Sequence, residues 1–175
     1  MNSACTLILG GVSSGKSAYA EALAEGRGKA LVYVATAKSG DSEMSAKIAA
    51  HQARRGAQWS TIEAPFDLVG ALTDASGADV ILVDCLSMWL TNLLLNDREI
   101  GRETDALIAT LEGLSTPCVL VSNEVGLGGI EVNELARKFA AEQGRLNQRV
   151  ARIADRVVMV TAGLPHILKG RPDDT

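Results

Sequence analysis

Gly10, Gly15, Lys16 and Ser17, in the stretch "GGVSSGKSAY" (10–19), carry the spacing of a phosphate grip. The pattern Gly-x-x-x-x-Gly-Lys-Ser lets backbone N–H groups curl around phosphate oxygens, and the helix that follows adds its positive end. Lys16 is then the group that neutralises the β and γ phosphates of a nucleoside triphosphate, and the Ser17 hydroxyl is a ligand for Mg2+. The apolar run "CTLILG" (5–10) before the grip and the helical pattern "SAYAEALAEG" (17–26) after it supply the strand–turn–helix setting that this chemistry requires. A second half comes from "VILVD", four apolar residues that end on Asp84, a carboxylate placed as the second acid of a Mg2+ site.

His51 is one of two histidines. On a helix its i−4 and i+4 neighbours are Lys47 and Arg55, two cations that disfavour protonation of the imidazole. A neutral imidazole keeps the lone pair that a nucleophile attacking phosphorus needs. Met44, Ile48 and His51 also share one helical face, the pattern of a semi-buried packing residue, and spacing leaves both readings open. Arg54 and Arg55 either clamp phosphate or complement the helix dipole. Glu63, ending "WSTIE" (59–63), either accepts a hydrogen bond from a base or ribose or lies on plain surface. "SNEVGLGG" (122–129) carries an amide, an acid and three glycines, as a binding loop or a tight turn would.

These residues need elements to bring them together. Further strand-like runs fall at 30–36, 79–84, 117–123 and 156–162, and helical patterns at 41–56, 66–76, 86–95, 103–113 and 133–152. The pattern at 41–56 starts on Asp41 and ends on Arg54, Arg55 and Gly56, as a capped helix should. Strands alternating with helices predict an α/β fold, a mainly parallel sheet with helices on both faces and ligands beyond the carboxyl ends of the strands. Asn123 and Glu124 join the candidates at that edge. "LSMWLTNLLLN" (86–96) is apolar nearly all round, with Ser87, Thr91, Asn92 and Asn96 its polar exceptions. Such a helix is deeply buried or packed at a subunit contact, and in so small a domain the contact is expected. In the last helix Leu135, Phe139, Leu146, Val150 and Ile153 should face a core, with Arg137, Arg145, Arg149 and Arg152 solvated.

The 175 residues, 47% hydrophobic, suffice for one buried domain, expected over 1–168 with a frayed polar tail at 169–175. A net charge of −4 without basic blocks speaks against a nucleic-acid partner. There is neither an apolar run of about 18 residues to span a bilayer nor a positive leader before the grip, so a cytoplasmic protein is expected, without a membrane partner. Cys5, Cys85 and Cys118 lie in or beside apolar runs, as reduced, buried thiols do.

Taken in order, "LILGGVSSGKS", "YVATA", "DSEM", "KIAAHQARRGAQWSTIEAP", "ILVDCLSMWLTNLL", "LVSNEVGLG", "NELARKFAAEQGRLNQRVARIAD" and "VVMVTAGLP" resemble the bifunctional adenosylcobinamide kinase / adenosylcobinamide-phosphate guanylyltransferases of cobalamin biosynthesis. The "H…RRG…W.T.E.P" block and "SNEVG…GR.NQ" are the particular parts of that resemblance. It implies a RecA-like P-loop fold, a homotrimer, and two reactions on one site. A nucleoside triphosphate, ATP or GTP, phosphorylates the aminopropanol hydroxyl of adenosylcobinamide. A histidine, matched by His51, then takes GMP from GTP and passes it to adenosylcobinamide phosphate. Nucleotide contacts implied by the resemblance are Gly10, Gly11, Val12, Ser13, Ser14, Gly15, Lys16, Ser17, Ala35, Thr36, Ala37, Gln52, Ala53, Arg54, Arg55, Glu63 and Asp84. The chain departs from the family's pattern at Ser13, where many members carry Arg. It departs again after "SNEVG", where "LGGIEVNE" replaces a usual proline and a "PEN" order.

Overall fold

Residues that alternate in a buried strand must satisfy two layers at once, and the apolar runs do so here. The computed structural model describes residues 5–38, 56–129 and 133–171. Its strands are β1 (Cys5–Gly10), β2 (Leu31–Ala35), β3 (Trp59–Glu63), β4 (Val80–Asp84), β5 (Cys118–Asn123), β6 (Arg156–Thr161) and β7 (Leu164–Lys169). The helices are α1 (Lys16–Glu25), α2 (Leu68–Asp74), α3 (Leu86–Leu95), α4 (Ile100–Gly113) and α5 (Glu134–Ile153). The helix expected at 41–56 lies outside the described residues but for Gly56. One seven-stranded sheet runs β3-β2-β4-β5-β1-β6-β7, parallel except for the antiparallel β6–β7 pair.

Leu7, Leu9, Ile81, Val83 and Leu120 point into a core shared with α2, α3, α4 and α5. Ile8, Val80, Leu82, Val119 and Val121 point the other way, onto Ala20 and Ala24 of α1. Helices therefore cover both faces. Two helix starts are capped by side chains: Asp67 Oδ1 accepts from Gly70 N at 2.8 Å, and Asn133 Oδ1 accepts from Leu135 N at 2.8 Å.

Of the two settings that suit the apolar 86–96 helix, deep burial is the one this chain shows. Leu86, Trp89, Leu90 and Leu93 are at most 1% exposed inside this one chain, and of the large apolar residues only Leu95 stands out at the end. α3 is apolar all round because it lies against β5, α4 and α5. Its polar residues are spent internally: Thr91 Oγ1 donates to Ser87 O at 2.8 Å and Asn96 Nδ2 to Asn92 O at 2.8 Å. Leu135, expected in the core, is 49% exposed. The solvated arginine face of α5 is as expected, with Arg149 Nη2 paired to Asp105 at 2.7 Å.

β7 has no counterpart among the expected strands. Its residues are mostly exposed and it contains Pro165, so neither apolar alternation nor composition marks it, and an edge position tolerates the proline. The turn before it uses Ala162 (φ 52) and Gly163 (φ 78), two left-handed residues as a tight antiparallel hairpin needs. Lys169, expected to begin the polar tail, closes β7 instead, and its Nζ donates to the carbonyls of Ala151 and Arg152 at 3.1 and 3.0 Å.

All three cysteines are free and buried. Burial pushes the Cys5 thiol up to about 11 and, with Asp84 adding a smaller push, Cys85 up to about 12. Cys118 is raised too, again chiefly by burial. Below an ordinary value near 9.0 the thiols are protonated folded or unfolded, so their contribution to stability is fully present. Above it the unfolded chain ionises first, and that contribution is lost as pH rises toward 11–12. Denaturant midpoints measured from pH 8 to 11 should therefore fall above pH 9, and fall less steeply in Cys118→Ala, which removes one of the groups responsible.

Candidate active site at the carboxyl edge of the sheet

β1 delivers the grip to the middle of the sheet. Ser13 (φ 57) and Gly15 (φ 93) take left-handed conformations, the backbone ingredients of an anion-binding nest. Gly15 is also the N-cap of α1, so the first N–H groups of that helix open onto the loop. Lys16 Nζ donates to Gly11 O at 3.1 Å, folding the ammonium back over the loop. Ser14 Oγ is buried with no hydrogen-bond partner, an orphaned donor inside the cradle. Leaving such a group unmet costs about 1–3 kcal/mol, which fits a loop shaped for a ligand's oxygens.

The loop rests on the β6–β7 hairpin. Gly163 N donates to Ser14 O at 2.8 Å, and a Cβ on Gly15 would lie 3.1 Å from Gly163 Cα. On the other side Gly10 is paired with Asn123, and Glu124 N donates to Gly10 O at 3.0 Å.

Strand register lines up Glu63, Ala35 and Asp84 across β3, β2 and β4. Asp84 shares its parity with Val80 and Leu82, whose side chains face α1, so its carboxylate lies on the grip's side of the sheet. The Cys85 thiol beside it feels both the Asp84 carboxylate and the Lys16 ammonium, which places those two charges in one neighbourhood. Glu63 is exposed at the outer end of this row. Among the described residues, no three His, Cys, Asp or Glu gather to hold a metal. One hydroxyl and one carboxylate are hard oxygen donors, and they suit Mg2+, which keeps waters and takes its other ligands from substrate phosphates.

Thr36 is fully buried and its polar groups are engaged inside the protein. Its hydroxyl accepts from Cys85 N at 2.8 Å and donates to Cys85 O at 2.7 Å, while its own carbonyl accepts from Asn92 Nδ2 at 2.8 Å. Its place is under the site, holding the segment after Asp84. Ala37 is half-buried, and beyond it Lys38 Nζ sits 4.2 Å over the Phe66 ring. His51, Gln52, Ala53, Arg54 and Arg55 lie outside the described residues.

The pattern of the cobinamide kinase / cobinamide phosphate guanyltransferase family matches residues 6–168. The chain belongs to that family. It is 48% identical over 169 residues to the bifunctional adenosylcobalamin biosynthesis protein CobP of Pseudomonas aeruginosa, covering 95% of this chain and 98% of that one. The corresponding protein CobU of Salmonella typhimurium is 40% identical over 174 residues, covering 90% of this chain and 96% of the relative. CobU of Escherichia coli is 34% identical with the same coverage. Among solved structures, the flagellar accessory protein FlaH of Methanocaldococcus jannaschii superposes with a TM-score of 0.58 at 16% identity, over 96% of this chain and 79% of that one. That likeness concerns the fold, which is RecA-like. In this chain's sheet β5 lies between the grip strand β1 and the acid strand β4.

As a cobinamide kinase and cobinamide phosphate guanylyltransferase, the chain uses supports that its residue types did not single out. Asn123 N donates to Ser87 Oγ at 2.8 Å, and Asn123 O accepts from Asn147 Nδ2 at 3.0 Å. Behind them Ser122 Oγ donates to Asn147 Oδ1 at 2.6 Å, and Gln143 Nε2 reaches both at 2.8 and 3.0 Å. The available signal was position: Gln143 and Asn147 fall on the same helical face as Leu146 and Val150, where a polar side chain needs a buried partner.

The grip's two leading glycines should behave differently. A Cβ on Gly10 would meet Ser14 Oγ and come within 2.7 Å of the Val160 carbonyl, whereas one on Gly11 meets nothing within 4 Å. Gly10→Ala should lose several degrees of melting temperature, at roughly 2–4 °C per kcal/mol for a chain of this size, and bind a non-hydrolysable GTP analogue at least tenfold more weakly by calorimetry. Gly11→Ala should melt within a degree or so of wild type.

Proposed function

We propose that the carboxyl-edge site presents one triphosphate at a time for two successive transfers, first of phosphate and then of GMP, to the same corrinoid arm. The observation that carries this reading is the joint placement of the grip, Lys16 and Asp84 on the α1 side of one sheet edge in a chain of this family.

In the first transfer the aminopropanol hydroxyl oxygen of adenosylcobinamide attacks the γ-phosphorus of ATP or GTP. The bond from that phosphorus to the bridging oxygen breaks, the nucleoside diphosphate leaves, and the hydroxyl proton is released. The nest at Ser13 to Gly15 and the Lys16 ammonium hold the departing charge, which gathers on the β-γ bridge. Ser17 and Asp84 hold Mg2+, which when bound spreads the negative charge of the phosphate oxygens.

In the second transfer an imidazole nitrogen of His51 attacks the α-phosphorus of GTP, the α-β bridge breaks, and pyrophosphate leaves. On the helix expected at 41–56, Lys47 and Arg55 are the i−4 and i+4 neighbours of His51, two cations that would disfavour protonation of the imidazole. A phosphate oxygen of adenosylcobinamide phosphate then attacks the same phosphorus, releasing His51 and forming adenosylcobinamide-GDP. Gln52, Ala53, Arg54, Arg55, Ala35, Ala37 and Glu63 are assigned to the nucleotide, the last to its base or ribose. The enzyme works as a homotrimer without nucleic-acid or membrane partners; among the described residues no helix is long and apolar enough to cross a membrane. Light scattering should return three chain masses.

Incubation with α-labelled GTP tests the second transfer directly. Wild type should retain acid-labile label, and His51→Ala should retain roughly a hundredfold less or none while still phosphorylating cobinamide from γ-labelled nucleotide. Equal labelling of the two proteins would sink the assignment of His51.

A further inference from the structure

The Asp84 carboxylate is the one acid of the proposed metal site, and the neighbouring strand β2 reaches it from two directions. Tyr33 lies one strand over and its hydroxyl donates to Asp84 Oδ2 at 3.2 Å. The ring is 7% exposed, packed in the α1-side core and set edge-on to Trp59 at 77° with centroids 6.4 Å apart. Three residues further along β2's path, Thr36 closes both hydrogen bonds on the Cys85 peptide, and Asn92 holds Thr36 in turn.

We propose that Tyr33 is a positioning residue for the metal site, fixing the Asp84 carboxylate by engaging Oδ2 so that Oδ1 faces the cation. A carboxylate at a strand's end is free to rotate about its terminal bond, and a ligand that must meet a small octahedral ion cannot use that freedom. Tyr33 removes it at one oxygen. Thr36 removes the backbone freedom immediately after Asp84. Groups that orient metal ligands in this way typically change metal affinity by roughly 10–100-fold when lost. A tyrosine whose hydroxyl merely capped a buried acid would change stability and leave metal affinity alone.

The inference rests on the reading of Asp84 as a metal ligand, so the test separates the two. Mn2+ binding to the full chain, with a non-hydrolysable GTP analogue present, is followed by the loss of the free-ion paramagnetic resonance signal. Tyr33→Phe removes one oxygen and keeps the ring. It should weaken Mn2+ about tenfold while leaving metal-free analogue affinity within about twofold of wild type. In an Asp84→Asn background the same change should add nothing, because both act on one ligand. If Asp84→Asn itself leaves Mn2+ affinity unchanged, the metal-ligand reading of Asp84 fails. If Asp84→Asn weakens Mn2+ but Tyr33→Phe does not, or if Tyr33→Phe still weakens it in the Asp84→Asn background, the role given to Tyr33 is overturned. A lower melting temperature with unchanged Mn2+ affinity overturns it as well.

Discussion

Peptide groups at the carboxyl end of a parallel sheet lose their ladder partners just where a ligand must bind, and the whole site depends on how they are satisfied. Here the residues that follow β2 and β4, Thr36 and Cys85, are buried, so water cannot serve their peptide groups and each unmet group would cost about 1–3 kcal/mol. Four side chains take the work instead. Thr36 meets the Cys85 peptide, Asn92 meets Thr36 and Pro65, Ser87 meets Asn123 N, and Asn147 meets Asn123 O. Two of the four come from α3, which thus fastens the ends of β2, β3 and β5 to one rod.

Magnitudes divide the labour within α3. Burying each of Leu86, Leu90 and Leu93 contributes about 1.5–3 kcal/mol, whereas a net hydrogen bond contributes about 0.5–1.5 kcal/mol. Apolar burial therefore decides that α3 docks. The polar side chains decide where, because a helix slid or turned by one residue would keep most of its apolar contact and orphan Asn92, Ser87 and the backbone groups they meet. A strongly apolar helix with a few fixed polar points gives an edge that is both stable and unique in register.

This division explains what could be read in advance. The grip, the Asp84 strand and the boundaries of β3 (59–63) follow from local pattern, and the structure puts them at one sheet edge. Local pattern does not say what a helix packs against, so an all-round apolar α3 suits a subunit contact as well as the burial it has against α4, α5 and β5. Nor does it mark a strand that is exposed along its length, and β7 went unseen although "TAG" carries its turn. Tyr33 and Asn147 were invisible for a different reason. Their partners, Asp84 and Asn123, are 51 and 24 residues away in the chain.

Two of the stretches that carry the resemblance act as supports. "SNEVG" and the "NQ" of α5 meet in the Ser122–Asn147–Asn123 network, and "VVMVTAGLP" meets the grip where Val160 crowds Gly10 and Gly163 binds Ser14. The grip itself is the common part, suited to any triphosphate. On the proposed reading, one grip used for two transfers has to hold the same phosphates while the point of attack moves from the γ to the α phosphorus. A loop free to follow each reaction would spend binding energy on its own rearrangement, and that energy would be missing from the transition state. Braced by a hairpin on one side and β5 on the other, the loop stays put, and selectivity passes to whatever nucleophile is brought to it.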